Sequence, residues 1–221
     1  MLADLFNNPI SLLFWLIGLT VAITVHEFAH AYAADRLGDP TPRLQGRLTL
    51  NPLAHLDPLG TVMMLLVRFG WGKPVVFDPF NLRNPRRDAA IISLAGPVSN
   101  ILLATLCSLV LYVLFGNRLE ILASNPLGAS LFFASGILQT LVVVNVLLAV
   151  FNLVPIHPLD GFKIVGGILP PEQAKQWYEL ERYGMLFLLF LIFPLFGGAS
   201  PISQLISPII QAILSVLLPG A

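Results

Sequence analysis

Two histidines in the first apolar segment have the spacing of a metal site. They belong to the run His26-Glu27-Phe28-Ala29-His30. Residues four positions apart on a helix lie about 40° apart around its axis and about 6 Å apart along it, so both imidazoles can bind one ion while the glutamate stands beside them. This HExxH spacing suits zinc, and it predicts that His26 and His30 share one metal ion.

A third ligand must come from elsewhere in the chain. A hydrolytic zinc site takes three protein ligands and leaves a fourth position for water. The glutamates are poor candidates, because they belong to a solvated helix face or lie on the other side of the membrane in the topology predicted below. Asp57 and Asp160 remain. Asp160 follows an apolar helix that breaks toward the same membrane side, and Gly161 beside it allows a close backbone approach.

The elements that position these residues are membrane helices. Of the 221 residues, 56% are hydrophobic and 11% are charged, whereas an ordinary soluble domain has about 45–50% and about 25%. The net charge of zero argues against nucleic-acid binding. The single cysteine, Cys107, excludes an internal disulfide framework and a multi-cysteine zinc site. The composition therefore predicts a membrane protein.

Hydropathy predicts that residues 1–221 form a single membrane-embedded domain. We predict an all-α polytopic fold with five to six membrane helices, one of them short or re-entrant, and a small β element after the first helix. The segments are an HExxH helix at 9–35, a loop at 36–88, helices at 89–115 and 131–154, and a helical hairpin at 183–218. Within the loop, the alternation from Arg43 to Leu50 predicts a strand that Lys73–Phe77 pairs with, and 60–67 is apolar but too short to span.

Basic residues predict the orientation. The first apolar run lacks the charged start of a cleaved signal peptide, so we expect it to be retained as a span. If 60–67 does not cross, eleven Lys and Arg lie on one side and only Arg118 lies on the other. The positive-inside rule then places the N-terminus outside and the active site toward the cytoplasm of what we expect to be a prokaryotic cell membrane.

Three motifs together resemble the site-2 protease family of intramembrane zinc metalloproteases. They are HEFAH in a membrane helix, Gly96-Pro97-Val98-Ser99-Asn100 (GPxxN) in another, and the run from Phe151 to Gly161, FNLVPIHPLDG. The resemblance implies hydrolysis of peptide bonds in or near transmembrane segments of protein substrates in the lipid bilayer. Many relatives carry an additional N-terminal helix or appended soluble domains, so this chain resembles a minimal form.

The resemblance also implies roles for individual residues. His26, His30 and Asp160 bind one Zn²⁺, and Glu27 activates the water. Asn152 helps to position or stabilise the scissile carbonyl, while the GPxxN segment packs the core helices. His157 is a departure from the family pattern and is open to a supporting, proton-carrying or ligand role. For the His55–Asp57 pair, the surrounding prolines favour a turn or a helix cap.

Other functions remain open at this stage. One is a metal-binding membrane transporter or an inactive scaffold, although a transporter places polar groups along several helices and this chain has few. Another is a membrane-anchored zinc protease that cuts soluble peptides, which the position of HExxH inside an apolar helix argues against.

Overall fold

The structure, a computed structural model, describes residues 8–67, 70–114, 126–193 and 200–218. Within these ranges the chain is helical, as predicted. The α helices are α1 (Pro9–Arg36), α2 (Thr41–Leu44), α3 (Pro58–Val67), α4 (Pro85–Leu114), α5 (Pro126–Asn152), α6 (Asp160–Ile168), α7 (Pro171–Glu179), α8 (Glu181–Ile192) and α9 (Pro201–Leu217). Two short 3₁₀ turns lie at Pro52–Ala54 and Pro79–Asn81.

Three of these helices are long and apolar enough to cross a membrane. They are α1, α4 and the part of α5 from Phe133 to Asn152. Helix α3 has 10 residues and α8 has 12, whereas a span needs about 20. The chain is therefore a membrane protein, but the prediction of five to six membrane helices is not confirmed.

Helices α1, α4 and α5 pack against one another and form the core around the site. Small and branched side chains fill their contacts, with Ala22, Ile23 and Val144 buried between α1 and α5. A second cluster joins α5 to α4 and α9 through Val146, Ala104 and Ile206 among others. The predicted C-terminal hairpin corresponds to α8 and α9, which contact each other, and the residues between them, 194–199, lie outside the described ranges. Arg118 and Glu120 also lie outside them.

Helix α4 begins four residues before the predicted start at 89, because its first turn is polar. Pro85 occupies the first helical position, where its fixed φ and missing N–H suit a helix start. The Asn84 carbonyl accepts from the Asp88 N–H, and the Asp88 carboxylate accepts from the Asn84 N–H. This reciprocal cap extends the helix beyond its apolar run, which is the part that hydropathy detects.

The predicted strand Arg43–Leu50 is wrong. The Asp39 carboxylate accepts hydrogen bonds from the Thr41 N–H and hydroxyl, so the chain turns into the short helix α2. Gly46 then adopts a left-handed φ of 69°, which ends the turn. In the described ranges the only β pairing is an isolated antiparallel bridge between Leu56 and Gly72.

The residues expected to pair with that strand, Lys73–Phe77, lie in an extended segment, 70–78, that is anchored at several points. The Lys73 N–H donates to the His55 carbonyl, and the Asp78 N–H donates to the buried Asp39 carboxylate. Because the Asp39 N–H also donates to the Ala34 carbonyl in the last turn of α1, the segment is fixed to the C-terminal end of that helix. It crosses the molecule next to the HExxH run.

Candidate metal centre

The two histidines of the HExxH run lie on one face of α1 and point to the same place. Both are buried. Their Nε2 atoms are 2.9 Å apart, and their ring planes are nearly perpendicular, at 87°. The helix geometry thus brings the two Nε2 atoms to one point, and metal binding by His26 and His30 stays a prediction.

Asp160 is brought to the histidines by the turn that joins α5 to α6. Its Oδ2 atom lies 3.0 Å from His26 Nε2 and 3.3 Å from His30 Nε2. A Cβ at Gly161 would lie 2.3 Å from the Leu153 carbonyl oxygen, so only glycine lets α6 fold back this closely on the end of α5. The predicted close approach at Gly161 is confirmed, and it sets Asp160 at the depth of the imidazoles.

The Asp160 carboxyl lies in the first turn of α6 and is the acidic member of the cluster. An ionised carboxylate is the form that binds a cation.

The three facing atoms fit a tetrahedral cation. His26 Nδ1 lies 2.6 Å from Asn100 Oδ1, and His30 Nδ1 lies 2.7 Å from the Ile92 carbonyl oxygen. An imidazole whose Nδ1–H donates keeps a lone pair on Nε2, so two such Nε2 atoms cannot hydrogen-bond with each other.

Their spacing supports the same conclusion. Ligands bound tetrahedrally at zinc distances lie about 3.3 Å from one another, and the separations here are 2.9, 3.0 and 3.3 Å. Among the described residues, His26, His30 and Asp160 form the group of histidine and acidic side chains that could hold a metal ion. Two imidazole nitrogens and one carboxylate oxygen are a donor set that zinc accepts.

Glu27 faces the extended segment 70–78. Its Oε2 atom accepts a hydrogen bond of 2.9 Å from the Val75 N–H and lies 4.0 Å from an Arg47 guanidinium nitrogen. Its side chain is 13% exposed. Both contacts fall on the same carboxylate oxygen, so the segment fixes the orientation of the glutamate.

Arg47 holds the extended segment over the site. Its side chain is buried, and its guanidinium donates to the carbonyl oxygens of Ala54 and Lys73. On the other side, the Lys163 ammonium of α6 lies 4.9 Å from the centre of the Phe77 ring. The segment therefore bridges from the HExxH helix to the helix that carries Asp160.

Asn152 is the last residue of α5 and is half-buried. Its Nδ2 donates to the Leu148 carbonyl one turn back, at 2.9 Å. The described contacts do not join it to the three clustered side chains. Its role toward substrate stays a prediction.

The other polar residues of interest have different partners. His157 Nδ1 lies 3.5 Å from Glu181 Oε1, and its ring meets the Phe162 ring edge-on. Asp57 Oδ1 accepts from the Gly60 N–H in the first turn of α3, which confirms the helix-cap interpretation. His55 is buried, with Nε2 2.7 Å from the Thr49 carbonyl oxygen.

Three residues at the site were not predicted from the sequence to act there. Gly96 and Asn100 lie behind the imidazoles, and Arg47 braces the extended segment. The four-residue spacing in GPxxN was a usable signal, because it places Gly96 and Asn100 on one helix face. Arg47 gave no such signal, because it lay within the alternation that predicted a strand.

Known proteins are similar in sequence to much of this chain. The sequence model described as Peptidase family M50 matches residues 121–193. The Bacillus subtilis protein named "Putative zinc metalloprotease YwhC" is 38% identical over 217 residues, which cover 93% of this chain and 97% of that protein. The Mycobacterium tuberculosis protein of the same description, Rip2, is 32% identical over 180 residues, covering 79% of this chain and 64% of that protein. No solved structure matches the chain.

Proposed function

Because this chain belongs to peptidase family M50, the site-2 protease family, and is a zinc metalloprotease, we propose that it hydrolyses peptide bonds in or beside transmembrane segments of membrane-protein substrates. His26, His30 and Asp160 hold one zinc ion, and Glu27 is the catalytic base. The observation that carries the proposal is the meeting of these three ligand atoms within 3.3 Å of one another.

The position of the site on its helix supports a substrate in the membrane. His30 and His26 precede the last residue of α1, Arg36, by six and ten residues, which correspond to about 9 Å and about 15 Å along the axis. Because α1 is a candidate span, the ligands lie at membrane depth rather than in an exposed loop. A buried polar cluster in such a helix is costly and marks a functional site.

The residues divide the chemistry between them. When bound, zinc supplies a Lewis acid that brings the pKa of water toward about 7 and polarises the scissile carbonyl. Glu27 takes the proton of the attacking water and delivers it to the leaving amine nitrogen. The Val75 N–H fixes Oε2, so Oε1 is the oxygen that exchanges the proton.

Asn152 is the proposed donor to the developing oxyanion. One hydrogen of its amide donates to Leu148, and an amide nitrogen carries two. Loss of one such donor costs about 2.7–4 kcal/mol of transition-state stabilisation in known oxyanion holes.

Cleavage requires a substrate helix to unwind, since a helical peptide bond is enclosed by its own turns. Unpaired backbone groups in lipid cost several kcal/mol each. The expected strand at Arg43–Leu50 does not exist, but the segment 70–78 is extended and lies beside Glu27. This segment, rather than 43–50, is the proposed partner for the unwound substrate backbone.

The proposed orientation follows from the basic residues and the three spans. The site lies toward the C-terminal ends of α1 and α5. Both helices lead into the segments that carry most of the basic residues and are predicted to be cytoplasmic. The N-terminus is then outside, and the enzyme is an integral multi-pass protein of a prokaryotic cell membrane, with its active site toward the cytoplasm. The bacterial sources of the two relatives support this proposal.

The direct test is cleavage by the Glu27→Gln variant, with zinc content measured on the same preparation. Removal of a general base lowers the rate by about 10²–10⁴-fold, and zinc should be retained because Glu27 is not a ligand. Each preparation is offered one membrane-spanning and one soluble peptide. Unchanged cleavage would refute the base assignment, and preference for the soluble peptide would refute the intramembrane substrate.

The third ligand is tested by comparing Asp160→Asn with Asp57→Asn. Only Asp160→Asn should lose zinc from the purified protein in detergent, because Asp57 caps α3. Equal zinc loss in the two variants, or retention in both, contradicts the assignment.

A further inference from the structure

Asn100 is a polar residue at a fully buried position, where helix packing alone does not require a polar side chain. It lies in the middle of α4, and its side chain is fully buried among the three long helices. Its Nδ2 donates to the Ala22 carbonyl at 3.0 Å and to Asn145 Oδ1 at 2.7 Å. Asn145 is also fully buried, and its Nδ2 donates to the Leu141 carbonyl at 2.8 Å. Leucine would pack these positions without any polar group to satisfy.

The direction of this chain of hydrogen bonds is fixed by its ends. A backbone carbonyl only accepts, so the Leu141 carbonyl requires the Asn145 nitrogen beside it and turns Asn145 Oδ1 toward Asn100. That oxygen, together with the Ala22 carbonyl, requires the Asn100 nitrogen. Asn100 Oδ1 therefore faces His26 Nδ1, 2.6 Å away. His26 must carry its proton on Nδ1 and keep the lone pair of Nε2 directed at the site.

His30 reaches the same state by a different route. Its Nδ1–H donates to the Ile92 carbonyl of α4 at 2.7 Å. Gly96 lies on α4 between Ile92 and Asn100, the two residues whose oxygens accept from the imidazoles. A Cβ there would be 2.5 Å from His30 Nε2 and 2.6 Å from His26 Cε1, so both rings rest directly on the glycine backbone.

We propose that Asn100, oriented by Asn145, is a positioning residue that holds His26 as the Nδ1–H tautomer with Nε2 free for the metal. The GPxxN segment is then the rear wall of the metal centre as well as a packing element. This inference rests on the proposed zinc site. Such outer hydrogen bonds fix ligand orientation, and their loss costs about 10–100-fold in metal affinity.

The test measures zinc affinity by chelator competition on the full-length protein in detergent, for wild type and the variants Asn100→Leu, Asn145→Leu and Thr105→Val. We expect Asn100→Leu to lose about 10–100-fold in affinity, and Asn145→Leu to lose less because His26 keeps its acceptor. Thr105→Val is the control, since Thr105 is exposed on the same helix and its hydroxyl donates to the Ile101 carbonyl one turn back. Affinity of Asn100→Leu within twofold of wild type overturns the proposal.

A second measurement needs no folded variant and no metal. Histidine labelled with ¹⁵N reports which ring nitrogen carries the proton, and the metal-free wild type should show His26 in the Nδ1–H form. His26 in the Nε2–H form overturns the inference even if Asn100→Leu does not fold. Failure of wild type to bind zinc would refute the proposed function instead, so the two failures are distinguishable.

Discussion

Substituting alanine for Gly96 should disable the metal centre through a single methyl group. The added Cβ would lie 2.5 Å from His30 Nε2 and 2.6 Å from the Cε1 atoms of both His26 and His30, whereas ordinary contacts are 3.4–4 Å. The two rings must therefore move back by about 1 Å. Zinc–ligand distances tolerate about ±0.2 Å, so this displacement is several times what coordination allows.

The effect on stability should be much smaller than the effect on metal binding. Alanine gains about 1 kcal/mol over glycine in helix propensity, and overpacking a core costs about 1–3 kcal/mol. The two terms oppose each other, so the free energy of unfolding should fall by no more than about 2 kcal/mol. A misplacement of about 1 Å costs about 100-fold in catalysis. Folded protein with little zinc and little activity is therefore the expected result.

The assay combines zinc content, cleavage of a membrane-spanning peptide and thermal unfolding. Gly18→Ala is the matched control, since Gly18 lies on α1 and its added Cβ would be 3.2 Å from Thr140 Cγ2, which requires a shift of only a few tenths of an ångström. That variant should keep zinc and activity. If Gly96→Ala binds zinc and cleaves like wild type, the argument that the rings rest on this glycine is refuted.

Two further variants test how the site is supported. Arg47→Met removes a buried guanidinium that donates to two carbonyls and faces Glu27. The free energy of unfolding should therefore fall by about 3–5 kcal/mol, and cleavage should drop at unchanged zinc content. An unaltered melting temperature would contradict this. Asp39→Ala should lower the free energy of unfolding by about 1–3 kcal/mol for each donor left without an acceptor. The control Asp35→Ala should lower it far less, because the partner of Asp35, Arg43, is 63% exposed and the ion pair is screened by water. Burial opposes ionisation of Asp39, but hydrogen bonds from Thr41, Asn81 and Asp78 hold its pKa below the ordinary value. The difference in free energy of unfolding between wild type and Asp39→Ala should thus be largest at neutral pH and should decline as pH falls below about 4. A difference that does not change with pH would refute the charge-based explanation.

Some expectations failed because local patterns have more than one solution. The alternation from Arg43 to Leu50 has strand periodicity, yet the Asp39 carboxylate and Gly46 make a helical turn there. The cap depends on bonds that also reach Asn81 and Asp78, and periodicity contains no information about them. Helix α4 extends past its apolar boundary for a related reason, since its cap is polar.

The sequence alone determined the features that depend on short separations along the chain. Spacing of four residues places His26 and His30 on one helix face, and the length of apolar runs predicts the long helices, because both follow from the rise and pitch of a helix. The motif order was sufficient to indicate the family.

Tertiary structure decided which carboxylate meets the histidines and what holds each ring. Asp57 and Asp160 were both open on local grounds, and the fold sets Asp160 against His26 across 134 positions while Asp57 caps a helix. The acceptor for His26 is 74 positions away, in Asn100, and its orientation depends on Asn145 in a third helix. These contacts exist only once α1, α4 and α5 pack together, because hydrogen bonds and close approaches between distant segments are set by packing rather than by any local period.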